Sequence, residues 1–357
     1  MKKLRVAVIG QGRSGRDIHG AFFKREDNDI IEVAAVVELD AQRRERAKEE
    51  YPGCDVMETY QELFGRKDID LVVNASYSDM HYPITKDLLE HGFNVVVEKP
   101  FARNYYECCD LINTAKKNGV MLEIFHQTLL APYYTKSKEI LESGRIGNIK
   151  QISVAFNGFA RRWDWQTLQV KMGGGVYNTG PHPIGIGLGL LGFDPNTRVE
   201  FAKLGLGLTS GDSDDYAKII LTAPGKPVVD IEISSLDAFS SYNIKAQGDR
   251  GTYTATTESY KMKYIVDGEN PEQPLQIETL KKGEEGLPLY CVEKLITHEE
   301  EGKFDGTSFT VAVQKFYQGV YDHLINGKEL PLSLEDAAMV IQVIETAHAI
   351  NPLPKIY

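Results

Sequence analysis

At 357 residues, 42% hydrophobic and 25% charged, the chain has the composition of a soluble globular protein and more length than one hydrophobic core usually serves, which points to two domains and excludes the disordered and membrane-spanning classes. A formal charge of −11 with no run of lysine or arginine excludes nucleic acid and anionic membrane as natural partners, since both select a clustered basic surface. The cysteines Cys54, Cys108, Cys109 and Cys291 form neither a CxxC pair nor a disulfide framework, so they read as free thiols in a reducing cytoplasm, with no bound metal.

In chain order, the first apolar run, residues 4–9 (LRVAVI), is strand-length and leads into glycines, unlike a signal peptide or a membrane span. Further short β-branched runs follow at 30–37, 70–75, 93–97 and 120–125, as buried parallel strands require. Between them the pattern predicts helices over 40–50, opened by Asp40, over 79–91, opened by Asp79, and over 103–118, ending near Gly119. This alternation predicts an α/β, doubly wound Rossmann domain over residues 1–125. After one more helix at 132–143 the rhythm changes to strand-like segments at 149–158, 216–223, 228–235 and 251–257 without interleaved helices. Residues 126–357 therefore read as an α+β domain with a large open, mostly antiparallel sheet, expected to hold substrate and to mediate oligomerisation. Residues 267–303, rich in Glu, Gly, Pro and Lys, read as a solvated loop insertion. Helices are expected again over 308–326 and 335–349, the latter entered through Ser333 or Glu335 and stopped by Pro352.

The sharpest motif is Gly10-Gln11-Gly12-Arg13-Ser14-Gly15, a GxGxxG where the first strand turns into a helix. The first glycine serves a tight turn, the second lets amides approach a pyrophosphate, the third permits close helix–strand packing, and the helix N-terminus favours the anion. Glu38 directly follows the second strand, where an acid holds a ribose 2′-hydroxyl and repels a 2′-phosphate, so NAD is expected over NADP. Arg43 and Arg44 on the next helix are the counter-signal, read as a solvated face. Glu98-Lys99-Pro100 ends an apolar strand at the carboxyl edge of the sheet, where ligands bind. A lysine enclosed there is pushed toward its neutral form and can exchange a proton with a substrate hydroxyl, while Pro100 restricts its backbone.

The N-terminal GxGxxG, the Glu98-Lys99-Pro100 and a later glycine run ending in His182 together resemble the glucose-fructose oxidoreductase/inositol dehydrogenase (Gfo/Idh/MocA) family over nearly the whole chain. Gly144-Arg145-Ile146-Gly147 resembles the turn after that family's first helix beyond the cofactor domain, and residues 335–349 resemble its closing helix. The resemblance implies that Lys99 touches nicotinamide ribose and substrate, that Glu98 lines the cofactor site, and that Asn74, Ser76 and His81 lie on the loop beneath the dinucleotide. It also implies that Gly173 to His182 supplies the other half of the site. An aspartate commonly stands four residues before the histidine in the family; here the position is Asn178, which can hold a hydroxyl but cannot carry a proton. Acid–base work then falls on Lys99 and His182, with Asn178 beside them.

Arg161-Arg162-Trp163-Asp164-Trp165-Gln166 holds both tryptophans and suits a carbohydrate pocket, where ring faces meet C–H surfaces and polar groups read hydroxyls. Tyr177 and Gln127 are candidates for the same wall, Gln127 counting also among the cofactor residues. The expected activity is hydride transfer between NAD and a secondary alcohol of a sugar, polyol or sugar derivative, in a homodimer or homotetramer. A redox-neutral NAD-dependent glycosidase and a non-catalytic nucleotide sensor are the alternatives.

Overall fold

The computed structural model describes residues 2–277, 281–282, 288–330 and 332–357. Its first sheet is wholly parallel and contains β1 (Leu4–Ile9), β2 (Ile31–Val37), β3 (Asp55–Met57), β4 (Leu71–Asn74), β5 (Val95–Glu98) and β6 (Leu122–Phe125), in the order β3-β2-β1-β4-β5-β6. Every residue of β4, β5 and β6 is buried, as a parallel sheet covered on both faces demands. A π-wound turn, Arg13–His19, runs into α1 (Gly20–Phe23), and α2 (Ala41–Glu50), α3 (His81–Glu90) and α4 (Tyr105–Asn118) supply the crossovers. Asp40 caps α2 by accepting the Arg43 N–H at 2.9 Å, and α4 runs from an Asn104 cap to Gly119 at φ 65°. Asp79 does not open a helix as expected. Residues 78–80 form a 3₁₀ turn, α3 begins at His81, and the Asp79 carboxylate pairs instead with Lys171 at 2.9 Å.

Beyond α5 (Pro132–Glu142) lies an eight-stranded sheet, of which the sequence reading recovered four strands. It contains β7 (Ile149–Asn157), β8 (Arg198–Gly205), β9 (Tyr216–Thr222), β10 (Val228–Ser234), β11 (Ile244–Gly248), β12 (Gly251–Ala255) and β13 (Ser259–Tyr264). After a short ladder of β14 (Lys281–Lys282) and β15 (Pro288–Leu289), β16 (His298–Lys303) completes it, in the order β16-β13-β12-β11-β7-β10-β9-β8. All its pairings are antiparallel except β7 with β10. The expected loop over 267–303 is corrected at its end. The charged run at 298–303 is an edge strand whose glutamates face Lys263 and Arg145, and charge on an edge strand blocks further pairing. Residues 278–280 and 283–287 of that expected loop lie outside the described residues.

Two helices precede β8: α6 (Gly175–Asn178) and α7 (Pro181–Leu190). The pattern PHPIGIGLGL gave no helical period, yet α7 is almost wholly buried, because its glycines let it press onto its neighbours. A Cβ at Gly185 would run into the His126 ring and one at Gly189 into the Tyr134 hydroxyl. The C-terminal helices are α8 (Val311–Asn326) and α9 (Leu334–Ile350), the latter capped by Ser333. α8 returns to the first sheet, packing Val313, Phe316, Tyr317 and Val320 with Leu4, Val6, Val8 and Phe22. Among the described residues no helix is long and apolar enough to cross a membrane.

Candidate functional site

The carboxyl ends of β1, β2, β4 and β5 carry the first wall. Gly10 takes φ 92°, a left-handed conformation that L side chains resist, and a Cβ there would run into the Ala75 carbonyl. A Cβ at Gly15 would strike the Gly10 carbonyl, whereas at Gly12 the nearest atom is Arg43 Nη1, 4.0 Å away. The turn is thus packed from below and open above, the form a pyrophosphate cradle requires. Arg13 is exposed and Ser14 half-buried on the first turn of the following helix.

The Glu38 carboxylate accepts the Gln11 N–H at 2.7 Å and the Asp40 N–H at 3.0 Å, and lies 3.6 Å from Arg43. It therefore stands fixed beside the glycine turn. Arg44 folds back onto the carbonyls of Glu38 (2.6 Å) and Leu39 (2.8 Å) rather than lying along a solvated helix face.

Below this wall the loop after β4 is fastened. Asn74, fully buried, donates to Thr85 Oγ1 at 3.0 Å and accepts the Ser76 N–H at 3.3 Å. His81 joins the same loop to the end of β5, with Nδ1 2.8 Å from the Pro100 carbonyl and Nε2 3.3 Å from that of Ser76. Burial pushes its imidazole toward the neutral form. Asn74 and His81 thus shape the cleft floor with their polar atoms committed to the protein. Glu98 is also turned inward, 3% exposed, toward His19 at 3.2 Å.

Lys99 leaves β5 through a cis peptide to Pro100, and its ammonium donates to the Asn178 carbonyl at 2.8 Å. This bond joins the first sheet to the glycine run. Burial lowers its pKa from the ordinary lysine value, Glu98 opposes that fall, and Arg13 and Arg162 add to it. The Asn178 side chain accepts from Gln166 at 3.2 Å, and His182 Nδ1 lies 2.6 Å from the Thr128 hydroxyl. Burial, with Lys99 and His126 nearby, keeps His182 far below the usual histidine range. Asn178 closes α6 and His182 stands in α7, so a break at Thr179–Gly180 separates the pair expected on one helical turn.

Asp214 builds the glycine run. Its Oδ2 accepts the Val176 N–H at 2.8 Å, and its carbonyl accepts the Gly175 N–H at 2.7 Å. The carboxylates of Asp212 and Asp215 also accept backbone amides, those of Gln169 and Ile356 for Asp212 and those of Gly207, Leu208 and Thr209 for Asp215. Thr128, Asp214 and His19 were absent from the sequence reading; a run of aspartates at 212–215 after a glycine-rich turn was the one visible signal.

The tryptophan segment divides. Trp165 meets Tyr77 edge-on at 5.0 Å across the cleft rim, and Gln166 reaches Asn178. Trp163 is 74% exposed with Arg161 over its ring at 5.9 Å, and Arg162 pairs with Asp164 at 3.0 Å. Arg161 and Trp163 therefore face solvent, away from the enclosed pocket expected. The Tyr177 hydroxyl donates to the Arg103 carbonyl at 2.7 Å, its ring lies against His348, and burial pushes its pKa up to about 12.

The amide oxygens of Gln11, Gln127 and Gln166 are among the buried side-chain acceptors with no partner among the described residues. Gln11 belongs to the glycine motif and Gln166 reaches Asn178, and a buried acceptor without a partner is open to a donor from water or from a bound molecule. With the open turn at Gly12, these oxygens fit a dinucleotide and a hydroxylated ligand.

Comparison with known proteins agrees with this geometry. A family model described as oxidoreductase family, NAD-binding Rossmann fold, matches residues 4–126, and its companion, the C-terminal alpha/beta domain, matches residues 138–349. The "Uncharacterized oxidoreductase YdgJ" of Escherichia coli (strain K12) is 28% identical over 352 residues, covering 96% of this chain and 94% of that protein. The "scyllo-inositol 2-dehydrogenase (NADP(+)) IolW" of Bacillus subtilis (strain 168) is 23% identical over 358 residues, covering 96% and 92%. Among solved structures, an NAD-binding protein from Listeria innocua superposes with a TM-score of 0.81 at 20% identity, covering 98% of this chain and 97% of that one.

Proposed function

Because this chain belongs to the Gfo/Idh/MocA oxidoreductase family, we propose that it interconverts a secondary alcohol and a ketone on a sugar, polyol or sugar derivative. NAD, when bound, supplies the acceptor or donor of the hydride. The single observation that carries the reading is the Lys99 ammonium, enclosed at the end of β5 and held 2.8 Å from the Asn178 carbonyl. Burial brings its pKa down, so it can take a proton from a substrate hydroxyl and return it. His182, tied through Nδ1 to Thr128, keeps Nε2 as its remaining polar atom and serves as the second proton-handling group. Asn178 and Gln166 orient the hydroxyl, since an amide holds a proton donor without ionising.

Residues 1–125 form the cofactor-binding part and 126–357 the substrate part, with α8 crossing back beneath the first sheet. Glu38 favours NAD over NADP: its carboxylate, fixed by two backbone amides, occupies the place where a 2′-phosphate would bring like charge. The relative IolW carries NADP(+) in its name, which makes cofactor preference the first property to measure. The protein acts in the cytoplasm as a homodimer or homotetramer.

The test is a spectrophotometric screen at 340 nm against sugars, polyols, their ketones and glycosides, with each cofactor supplied separately. NADH formed from one secondary alcohol supports the reading. Glycoside cleavage without net NADH favours redox-neutral chemistry, and nucleotide binding with no turnover favours a sensor.

A further inference from the structure

Behind Lys99, outside the cleft, three side chains from distant parts of the chain meet. His19, on the helix after the glycine motif, is 0% exposed, Tyr317 of α8 is 0% and Glu98 is 3%. His19 Nδ1 lies 2.5 Å from the Tyr317 hydroxyl, and Nε2 lies 3.2 Å from Glu98 Oε1, a close ionic contact, with no hydrogen-bond partner among the described residues. Glu98 Oε2 accepts the backbone N–H of Lys99 at 3.0 Å. Aromatic rings seal the group: Phe125 stands 4.2 Å from the His19 ring, and Phe22 stacks on Tyr317 at 5.4 Å.

The chain of contacts has one direction. Burial holds the Tyr317 phenol far above its ordinary pKa, so its hydroxyl stays protonated and is able to donate to Nδ1. With the hydroxyl donating, the imidazole proton stands on Nε2, facing Glu98. Burial pushes the Glu98 carboxyl toward its neutral form, but His19 first, and then Lys99 and His81, outweigh it and hold the group below the ordinary glutamate range. We propose that Tyr317, His19 and Glu98 form a buried relay that keeps a charged carboxylate fixed behind Lys99, making His19 and Tyr317 positioning residues for the lysine ammonium.

The inference rests on the reading of Lys99 as the proton-handling group. Around it, Glu98 is the counter-charge that opposes burial, Arg13 and Arg162. His81 faces Glu98 and Lys99, His126 and His182 feel Lys99, and Tyr51 faces Tyr317. Without His19 the balance at the buried carboxyl moves toward the protonated form, which weakens the counter-charge behind Lys99.

Competitive labelling of the full chain with trace acetic anhydride across pH 6–11, with acetylation at Lys99 quantified by mass spectrometry, reads the lysine titration without any substrate. His19→Phe and Glu98→Gln are each expected to move it down by about one pH unit, and the double variant no further than Glu98→Gln alone. Tyr317→Phe removes one hydroxyl from a ring that keeps its packing, and guards against misfolding of the His19 variant; a smaller downward shift is expected. An unchanged Lys99 titration in His19→Phe or Tyr317→Phe, with cooperative unfolding intact, overturns the relay. A shifted titration in a protein that forms no NADH would sustain the relay and defeat the dehydrogenase reading.

Discussion

Glu38 illustrates what a single side chain decides. Its carboxylate holds the N–H of Gln11 in the glycine turn and that of Asp40 at the head of α2, so it both shapes that turn and sets the charge beside it. Glu38→Ser is expected to shift the ratio of NADPH to NADH dissociation constants by at least about tenfold toward NADPH, since removing a like charge near a phosphate is worth over about 1 kcal/mol. Fluorescence titration with the two reduced cofactors measures this, and an unchanged ratio would assign the choice elsewhere, with Arg43 the next residue to test. Asn178→Asp asks the complementary question. A carboxylate there would lie beside the carbonyl that already holds Lys99, and the pH–rate profile should gain an ionisation absent from the native chain. At this scale the sequence carried the glycines, Glu38, Lys99, Asn178 and His182. It could not carry Thr128 or His19, because single Thr and His residues have no local pattern, and their roles arise only when distant segments meet.

Among the elements, the six parallel strands show why some structure is legible and some is not. β1, β2, β4, β5 and β6 are continuous apolar runs and were found within two residues at each end. β3 is three residues of mixed character and was missed. In the second sheet β8, β11 and β13 mix charged and apolar residues or are short, and β16 is charged with no apolar residue, so they resembled loops, and α7 was hidden by its glycines. Those glycines give two predictions. Gly185→Ala would press a methyl group into the His126 ring and is expected to destabilise the protein by about 1–3 kcal/mol, read from urea unfolding. Gly15→Ala would push the first helical turn off the Gly10 carbonyl, and is expected to weaken NADH binding by more than about tenfold while the second sheet remains folded.

For the whole molecule, buried titratable groups make stability depend on pH from both sides. His126 is held at about 4 against an ordinary 6.5, chiefly by burial and then by Lys99. Between those values the unfolded chain binds a proton that the folded chain does not, so stability falls as pH drops from 6.5 toward 4, by up to about 3 kcal/mol for this group. Glu123 behaves oppositely. Burial raises it from 4.5 to about 8, so the stability of the protonated folded form is complete below 4.5 and is lost as pH rises through 8. Thermal unfolding across pH 4–9 separates the two: Glu123→Gln should raise the midpoint at pH 8.5 and leave pH 4 nearly unchanged, whereas His126→Gln should flatten the acid side. The two-part architecture was readable from the change of rhythm after residue 125, but the return of α8 under the first sheet was not, because its apolar positions say only that it is buried and not against what. That return is what brings Tyr317 to His19, and with it links the C-terminal helices to the lysine at the cleft.

The most direct measurement of the central claim is the rate of NADH formation by the native chain and by Lys99→Met on the secondary alcohol that it turns over, with NADH affinity measured alongside. A loss of about 10²–10⁴-fold in kcat with cofactor affinity retained is expected. Turnover undiminished in Lys99→Met would contradict it.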